Sequence, residues 1–128
     1  MKQRPVFLDV LKIRMPLPAV VSIGHRISGI VIALALPLLL YLLACITHPG
    51  IYLSYICQGL FANNWMKCLL WIIFSALAYH VLAGVKHLLS DFFHLGHTLA
   101  GAMRASLMML VLFGGVSILL GMRLWGWI

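Results

Sequence analysis

Residues 27–47 have the sequence ISGIVIALALPLLLYLLACIT, a run without a charged side chain between Arg26 and His48. An α-helix rises about 1.5 Å per residue, so about 20 apolar residues cross the roughly 30 Å hydrocarbon core of a bilayer. Residues 105–122 form another uncharged run, and only His80 interrupts the run at residues 68–85. The sequence therefore predicts an all-α membrane protein whose three transmembrane helices cover about residues 22–47, 65–89 and 104–124. These spans form one membrane domain, residues 19–128, after an N-terminal segment of residues 1–18.

The composition excludes most classes of soluble protein. Hydrophobic residues make up 64% of the chain and charged residues 9%, against about 45–50% and about 25% in typical soluble domains. The net charge of +7 arises from nine basic residues and two acidic ones, Asp9 and Asp91. Because the basic residues lie between apolar runs, they indicate membrane topology and not nucleic-acid binding. With two carboxylates in total, paired-carboxylate hydrolysis and carboxylate metal cages are nearly excluded.

The basic residues also predict an orientation. One side of the predicted spans holds only Lys67 and Arg123, and the other holds the remaining seven (Lys2, Arg4, Lys12, Arg14, Arg26, Lys86 and Arg104). The positive-inside rule then places the N-terminus in the cytoplasm and the C-terminus outside. Aromatic residues gather at the predicted outer interface, as aromatic belts do (Tyr52, Tyr55, Trp65, Trp125 and Trp127). We expect no cleaved signal peptide, because no convincing small-residue cleavage site follows the first long apolar run.

Prolines and glycines predict where helices begin and end. Pro16 and Pro18 are tolerated only in a first turn, so the first helix is predicted to begin near Ala19. Pro37 lies inside that helix and predicts a kink, unless neighbouring groups absorb it. The segment at residues 48–64 contains Pro, Gly and two Asn residues, which predict an irregular loop.

Small residues share one face of the third predicted span. Gly114, Ser117 and Gly121 follow one another at i, i+3 and i+7. Such a face permits close helix packing, either within the chain or against a partner.

The cysteines are predicted to be free, buried thiols. None belongs to a C-x-x-C pair, and no C-x-x-C-H motif for covalent haem is present. Free cysteine packs as a small hydrophobe, and we expect this state in preference to a disulfide (Cys45, Cys57 and Cys68).

His80 is the histidine placed well inside a predicted span. An ionisable group is costly there, so a functional role is the first hypothesis. His87 follows two helical turns later on nearly the same face, with Ala83 and Gly84 between them. Small residues beside an inward-facing histidine leave room for a flat ligand such as a porphyrin, and neutral imidazole is a standard haem ligand. The alternative is a histidine that hydrogen-bonds a hydroxyl or carbonyl group on a neighbouring helix.

A second polar cluster lies at the start of the first span. Ser22, Arg26 and Gly29 share one helical face, with His25 beside them. Arg26 and the positive end of the helix dipole suit an anion, a haem propionate or a quinone oxygen that gains negative charge. The alternative is that Arg26 is only a topology signal that reaches lipid phosphates.

A haem with two axial ligands would need a second chain. Apart from His80, the histidines are expected in loops or at the membrane boundary (His25, His48, His87, His94 and His97). The sequence also contains no motif for a nucleotide, a flavin or an iron–sulfur cluster. We therefore expect the chain to relay electrons or bind a lipid-soluble substrate together with other subunits.

Two motifs resemble the larger, cytochrome b-type membrane-anchor subunit of succinate dehydrogenase. The first comprises Arg4-Pro5-Val6 and residues 22–29, SIGHRISG, similar to R-P … S-x-x-H-R-x-[ST]-G. The second is residues 80–87, HVLAGVKH, followed by Asp91, similar to H-x-x-x-G-x-R-H-x-x-x-D. Lys86 departs from this pattern, because it keeps the charge of the usual Arg but loses its bidentate geometry.

The resemblance implies roles for individual residues. His80 matches the axial ligand of the iron of haem b, and one haem is shared with a smaller anchor subunit that supplies the second ligand. Ser22 and Arg26 match quinone-binding positions, whereas His25, Arg26 and His87 match positions near the haem propionates. Asp91 matches a region linked with proton delivery, although the sequence diverges beyond it.

The resemblance also implies an assembly and a reaction. A flavoprotein subunit oxidises succinate, an iron–sulfur subunit carries the electrons, and ubiquinone is reduced in the bacterial inner membrane, where lipid surrounds the anchor. This chain alone has no succinate or flavin site and anchors the two peripheral subunits. Two alternatives remain open: the anchor of a menaquinone-linked fumarate reductase, and a structural membrane protein without a redox role.

Overall fold

The computed structural model describes residues 15–47, 50–93 and 98–127. These residues form four helices: α1 (Leu17–Thr47), α2 (Ile51–Ala62), α3 (Asn64–Phe93) and α4 (Leu99–Leu124). Most of the predicted N-terminal segment, residues 1–18, lies outside the described residues, and so do the loop positions expected for three histidines (His48, His94 and His97).

Three of the helices are long and apolar enough to cross a membrane, at Leu17–Cys45, Asn64–Phe93 and Leu99–Leu124. The prediction of three long apolar helices is therefore confirmed, and the protein is a multi-pass membrane protein. Each predicted span lies within one of these helices. Their lateral surfaces remain apolar and exposed, with Leu34 78% and Val111 68% accessible, as expected of surfaces that face lipid or other subunits.

The helix ends follow local backbone chemistry. α1 begins two residues before the predicted Ala19, and the carbonyl oxygen of Pro16 accepts a hydrogen bond from the Ala19 amide at 2.9 Å. The helix continues through Pro37. At the start of α4, the Thr98 hydroxyl accepts a hydrogen bond from the Gly101 amide at 3.1 Å and caps the helix.

The prediction of an irregular loop at residues 48–64 is wrong. Residues 51–62 form α2, and α3 begins at Asn64 after a break of one residue. The Pro and Gly at the start of this segment precede the helix, where they do not disturb it, and the two Asn residues lie at its other end. The residues that favour turns thus lie at the two ends of the segment, and the residues between them include no proline that would interrupt a helix.

α3 is the central helix and packs against both α1 and α4. One residue from each of the three long helices meets in the core: Val21, Ala83 and Met109 are 1%, 0% and 4% exposed. Tyr79 packs against this cluster, and its hydroxyl donates to the carbonyl oxygen of Val21 at 3.1 Å. Because Ala83 carries only a methyl group, α1 and α4 approach α3 closely at this level.

Polar groups join α3 and α4. The indole N–H of Trp71 donates to the carbonyl oxygen of Ser117 at 2.9 Å, and the hydroxyl groups of Ser75 and Ser117 are 2.9 Å apart. A Cβ atom at Gly121 would lie 3.3 Å from the Trp71 nitrogen. The predicted close packing is thus present at Ser117 and Gly121. A Cβ at Gly114 would meet nothing within 4 Å, so Gly114 takes no part in this contact.

The prediction of free thiols is wrong for one described cysteine and correct for another. Cys45, near the end of α1, is disulfide-bonded, whereas Cys68 is a free thiol. Sequence spacing without a C-x-x-C pair does not reveal such a bond, since the folded chain decides which thiols meet.

Candidate functional site

α1 and α3 bring three histidines together. The rings of His25 and His80 stack with centroids 4.2 Å apart and planes inclined by 29°. The His87 ring lies 5.6 Å from that of His25. His80 and His87 share a face of α3 because seven residues make nearly two full turns. His25 reaches the same face from α1, so the cluster combines both sequence motifs.

Two groups of α1 hold one nitrogen of His80. Nδ1 lies 3.1 Å from the carbonyl oxygen of His25 and 3.2 Å from the hydroxyl oxygen of Ser28. The Ser28 hydroxyl itself donates to the His25 carbonyl at 2.8 Å. A carbonyl oxygen can only accept, so Nδ1 carries the hydrogen and donates it. A neutral imidazole held in this way is therefore the Nδ1–H tautomer.

This tautomer leaves Nε2 of His80 with its lone pair. Across residues 15–47, 50–93 and 98–127, Nε2 has no hydrogen-bond partner. Histidines that bind metals usually donate from the other ring nitrogen to a carbonyl oxygen or carboxylate, which fixes the ring and increases its basicity. The predicted alternative, a bond to a neighbouring hydroxyl or carbonyl, is thus also present at Nδ1, and it is compatible with ligation through Nε2.

The three histidines line one open groove. Gly84 and Asp91 also line this groove. Its volume of about 700 Å³ lies within the usual range of about 300–1,000 Å³ for ligand sites. Glycines keep the helices close here. A Cβ atom at Gly29 would lie 3.1 Å from Cε1 of His80, and one at Gly84 would lie 3.7 Å from Nε2 of His25. Asp91 is exposed at the end of this groove.

Ser22 and Arg26 lie on a neighbouring flank of α1. Ser22 is half-buried and Arg26 is exposed, and neither lines the histidine groove. Each follows a residue that faces α3, Val21 and His25 respectively, and successive residues turn by about 100° around a helix. The structure therefore joins four of the predicted site residues in the groove and places these two beside it.

The groove does not surround a cation with protein ligands. Among the residues that the structure describes, no three His, Cys or Asp side chains are grouped so that they could hold a metal ion. Single ligation of a preformed macrocycle needs only one such side chain. One histidine nitrogen in an open groove is compatible with such ligation.

Sequence reasoning did not assign roles to Ser28 and Tyr79. Both anchor α1 to α3, and Ser28 also touches the ring of His80. One signal was present for Ser28, since a helical serine often donates to a carbonyl three or four residues earlier. Its contact across helices depends on how α1 and α3 pack, which residue spacing does not give.

Comparisons with known proteins identify the family of the chain. The family model for the succinate dehydrogenase/fumarate reductase transmembrane subunit matches residues 1–121. The succinate dehydrogenase cytochrome b556 subunit of Coxiella burnetii (strain RSA 493 / Nine Mile phase I) is 44% identical over 89 residues, which are 70% of this chain and 71% of that protein. The subunit of the same name from Paracoccus denitrificans is 33% identical over 93 residues, 69% of this chain and 67% of that protein.

The chain therefore belongs to the succinate dehydrogenase/fumarate reductase transmembrane subunit family. The resemblance drawn from the motifs of α1 and α3 is confirmed. The chain functions as a membrane-anchor subunit of the succinate dehydrogenase complex.

Proposed function

We propose that this chain binds haem b through Nε2 of His80 and forms part of the site that reduces ubiquinone. One observation carries the proposal: Nδ1 of His80 is held by the His25 carbonyl and Ser28, so Nε2 is left for a ligand in an open groove. The name that two relatives share, cytochrome b556 subunit, supports haem as that ligand.

The residues present fit a porphyrin. The ring of His80 lines the groove, and Gly29 and Gly84 leave out the side-chain atoms that would fill the contact between α1 and α3. His25 and His87 stand beside His80 and would donate to the propionates. Bound haem supplies a carrier of one electron at a time. This chain would orient the ligating ring of His80 and position hydrogen-bond donors around the propionate carboxylates of the haem.

The second axial ligand is proposed to come from the smaller anchor subunit. The ring of His25 stacks on that of His80, and His25 and His87 line the same groove. We assign these two rings to the propionates, so a neighbouring subunit would close the groove, supply the other haem ligand and share the haem.

Ser22 and Arg26 are proposed to bind ubiquinone on the flank of α1 next to the haem. An exposed guanidinium group can stabilise the negative charge that a quinone oxygen gains during reduction. The hydroxyl of Ser22, one turn earlier, can donate to a carbonyl and fix its orientation. Asp91, at the exposed end of the groove, is proposed to deliver protons toward this region. The iron–sulfur subunit would approach this end of the bundle, and the flavoprotein subunit would bind to it.

We propose that this end faces the cytoplasm of a bacterium and that the chain lies in the inner membrane. The side of the spans with Arg26, Lys86 and Arg104 carries seven of the nine basic residues in the sequence. Basic residues are retained on the cytoplasmic side during insertion. Succinate would then be oxidised on the same side as the quinone site.

The test is a spectrum of the complete complex, purified in mild detergent through a tag on this chain. A reduced-minus-oxidised spectrum should show a b-type band for the unmodified complex, and His80→Leu should remove it. His80→Met replaces one haem ligand by another, so it should keep haem with a displaced band. This second variant keeps the test decisive if the leucine variant fails to assemble.

Tyr79→Phe is the matched control. It removes the adjacent hydrogen bond between α3 and α1 but leaves all ring nitrogens in place, so the b-type band should remain unchanged. A colourless native complex, or an unaltered spectrum in His80→Leu, would overturn the proposal.

A further inference from the structure

A groove between α3 and α4 lies on a different side of α3 from the histidines. Its volume is about 260 Å³, and its walls include Lys86 and Ser90 of α3 and Ala105 and Met108 of α4. Lys86 lies six residues after His80, which places it about 120° away around the helix. The two grooves therefore open on different sides of α3, and Val85 lines both.

The groove continues along the bundle into a second apolar groove. Leu82 lines both, and the second groove extends to Phe74 on α3 and Leu120 on α4, with a volume of about 380 Å³. The distance along α3 from residue 74 to residue 86 is about 18 Å, at about 1.5 Å per residue. One leaflet of the hydrocarbon core is about 15 Å thick, half of the roughly 30 Å core. The combined groove therefore has the length of one fatty acyl chain.

A positive charge marks only one end of this groove. Lys86 is half-buried there, and Ser90 offers a hydroxyl one turn further on. Within the described ranges, the only acidic side chain is Asp91, and it lines the histidine groove instead. The remaining wall residues are apolar, so an anion with a long apolar tail is complementary along the whole length.

We propose that the combined α3–α4 groove binds one phospholipid with an anionic headgroup. The phosphate accepts hydrogen bonds from Lys86 and Ser90, and one acyl chain lies along Leu82 toward Phe74. Basic pockets between transmembrane helices recognise such headgroups by this chemistry. The site is independent of haem ligation, because it uses no residue of the histidine cluster.

The experiment uses the complete complex, purified through a tag on this chain and transferred to nanodiscs. One set of discs contains phosphatidylcholine alone, and the other contains phosphatidylcholine mixed with phosphatidylglycerol. Native mass spectrometry counts the phosphatidylglycerol molecules that remain after release. Lys86→Gln should lower retention about fivefold, the change expected when about 1 kcal/mol per cation is lost near a membrane surface. Ala105→Leu should also lower retention, because it narrows the groove.

Arg104→Gln is the matched control, since it removes an exposed cation next to Ala105 that does not line the groove. Retention by Arg104→Gln should equal that of the unmodified complex. An equal loss in Lys86→Gln and Arg104→Gln would indicate diffuse surface attraction and overturn the proposal. So would unchanged retention in Lys86→Gln, or a cross-link from Leu112→Cys to another subunit, which would show that a protein helix covers the groove.

Discussion

The contact between α1 and α3 and the contact between α3 and α4 both contain polar groups at membrane depth, but they use them differently. Between α3 and α4, the Trp71 indole bonds to the Ser117 carbonyl and the Ser75 hydroxyl bonds to the Ser117 hydroxyl. Between α1 and α3, the carbonyl of His25 and the hydroxyl of Ser28 bond only one nitrogen of His80. In the first contact these polar groups bond to one another, whereas the second leaves a strong ligand atom unbonded in a groove.

This difference separates polar residues that hold helices together from those that bind a ligand. Helix–helix hydrogen bonds in membranes are worth about 0.6 kcal/mol on average, so they are modest structural links. A histidine whose lone pair faces an open groove carries a larger cost of burial and is retained for function. The proposed site therefore rests on the position of the unused nitrogen and not on the mere presence of a polar side chain.

Replacement of Arg26, on the flank of α1 beside the α1–α3 contact, is expected to have the largest effect on activity. Arg26→Leu should lower reduction of a short-chain ubiquinone analogue by about 100-fold, the order of loss when one charge-stabilising group is removed. Succinate oxidation by an artificial dye should be retained, because that reaction does not need the membrane site. Arg104→Leu, an exposed cation on α4, should leave both activities intact. Equal loss of both activities in Arg26→Leu would contradict the proposed quinone site.

Replacement of Ser28 tests whether the α1–α3 contact acts through His80. Ser28→Ala should weaken haem retention about tenfold, as the loss of a group that orients a ligating histidine does, and should displace the haem midpoint potential. Ser28→Thr keeps the hydroxyl and should restore both. Redox titration of the purified complex measures the effect. A variant that loses thermal stability but keeps the potential would reduce Ser28 to a structural role.

Replacement of Ser75 tests the contact between α3 and α4. Ser75→Ala leaves the buried Ser117 hydroxyl without its partner and should destabilise the complex by about 1 kcal/mol. The b-type spectrum should not change, because Ser75 does not touch the histidine groove. Thermal unfolding of the detergent-solubilised complex, followed beside the spectrum, separates the two outcomes. A spectral change in Ser75→Ala would break the distinction between the two contacts.

Two glycines offer a matched pair of substitutions. Gly29→Ala would place a Cβ 3.1 Å from the His80 ring, so the ring must move by a few tenths of an ångström and the haem band should shift. Gly114→Ala meets nothing within 4 Å and should stabilise α4 by about 1 kcal/mol, the difference in helix propensity. Spectra and unfolding of the two complexes measure the contrast. Identical spectra would show that the ring of His80 tolerates displacement.

The smallest effect is expected at Ser106. This side chain is fully buried, and its hydroxyl has no hydrogen-bond partner in the part of the chain that the structure describes. Ser106→Ala removes a desolvated group without breaking a bond, so it should be neutral or stabilise by up to about 1 kcal/mol. Thermal unfolding checks this, with Ser75→Ala as the contrasting hydroxyl deletion. Marked destabilisation would reveal a partner for Ser106 within the assembled complex.

The sequence predicted the spans and the deepest histidine because both depend on local patterns. Uninterrupted apolar runs located α1, α3 and α4, and seven-residue spacing placed His80 and His87 on one face. The prediction from sequence was wrong at α2, because turn-favouring residues at the two ends of the segment do not interrupt the helix between them. It also failed at Cys45, because disulfide pairing depends on distances between helices.

Apolar length, the positions of charges and the two motifs alone determined that this chain is a three-span membrane anchor with a histidine in the bilayer. These features act through the bilayer, because apolar residues are stable in its hydrocarbon core and polar residues are costly there, wherever they occur in the chain. Only the packing of α1 on α3 decided that the His25 carbonyl and Ser28 hold Nδ1 and leave Nε2 available. The same packing placed Arg26 beside the groove, and the packing of α3 on α4 placed Lys86 between those two helices. Rotation and contact between helices arise from side chains far apart in sequence.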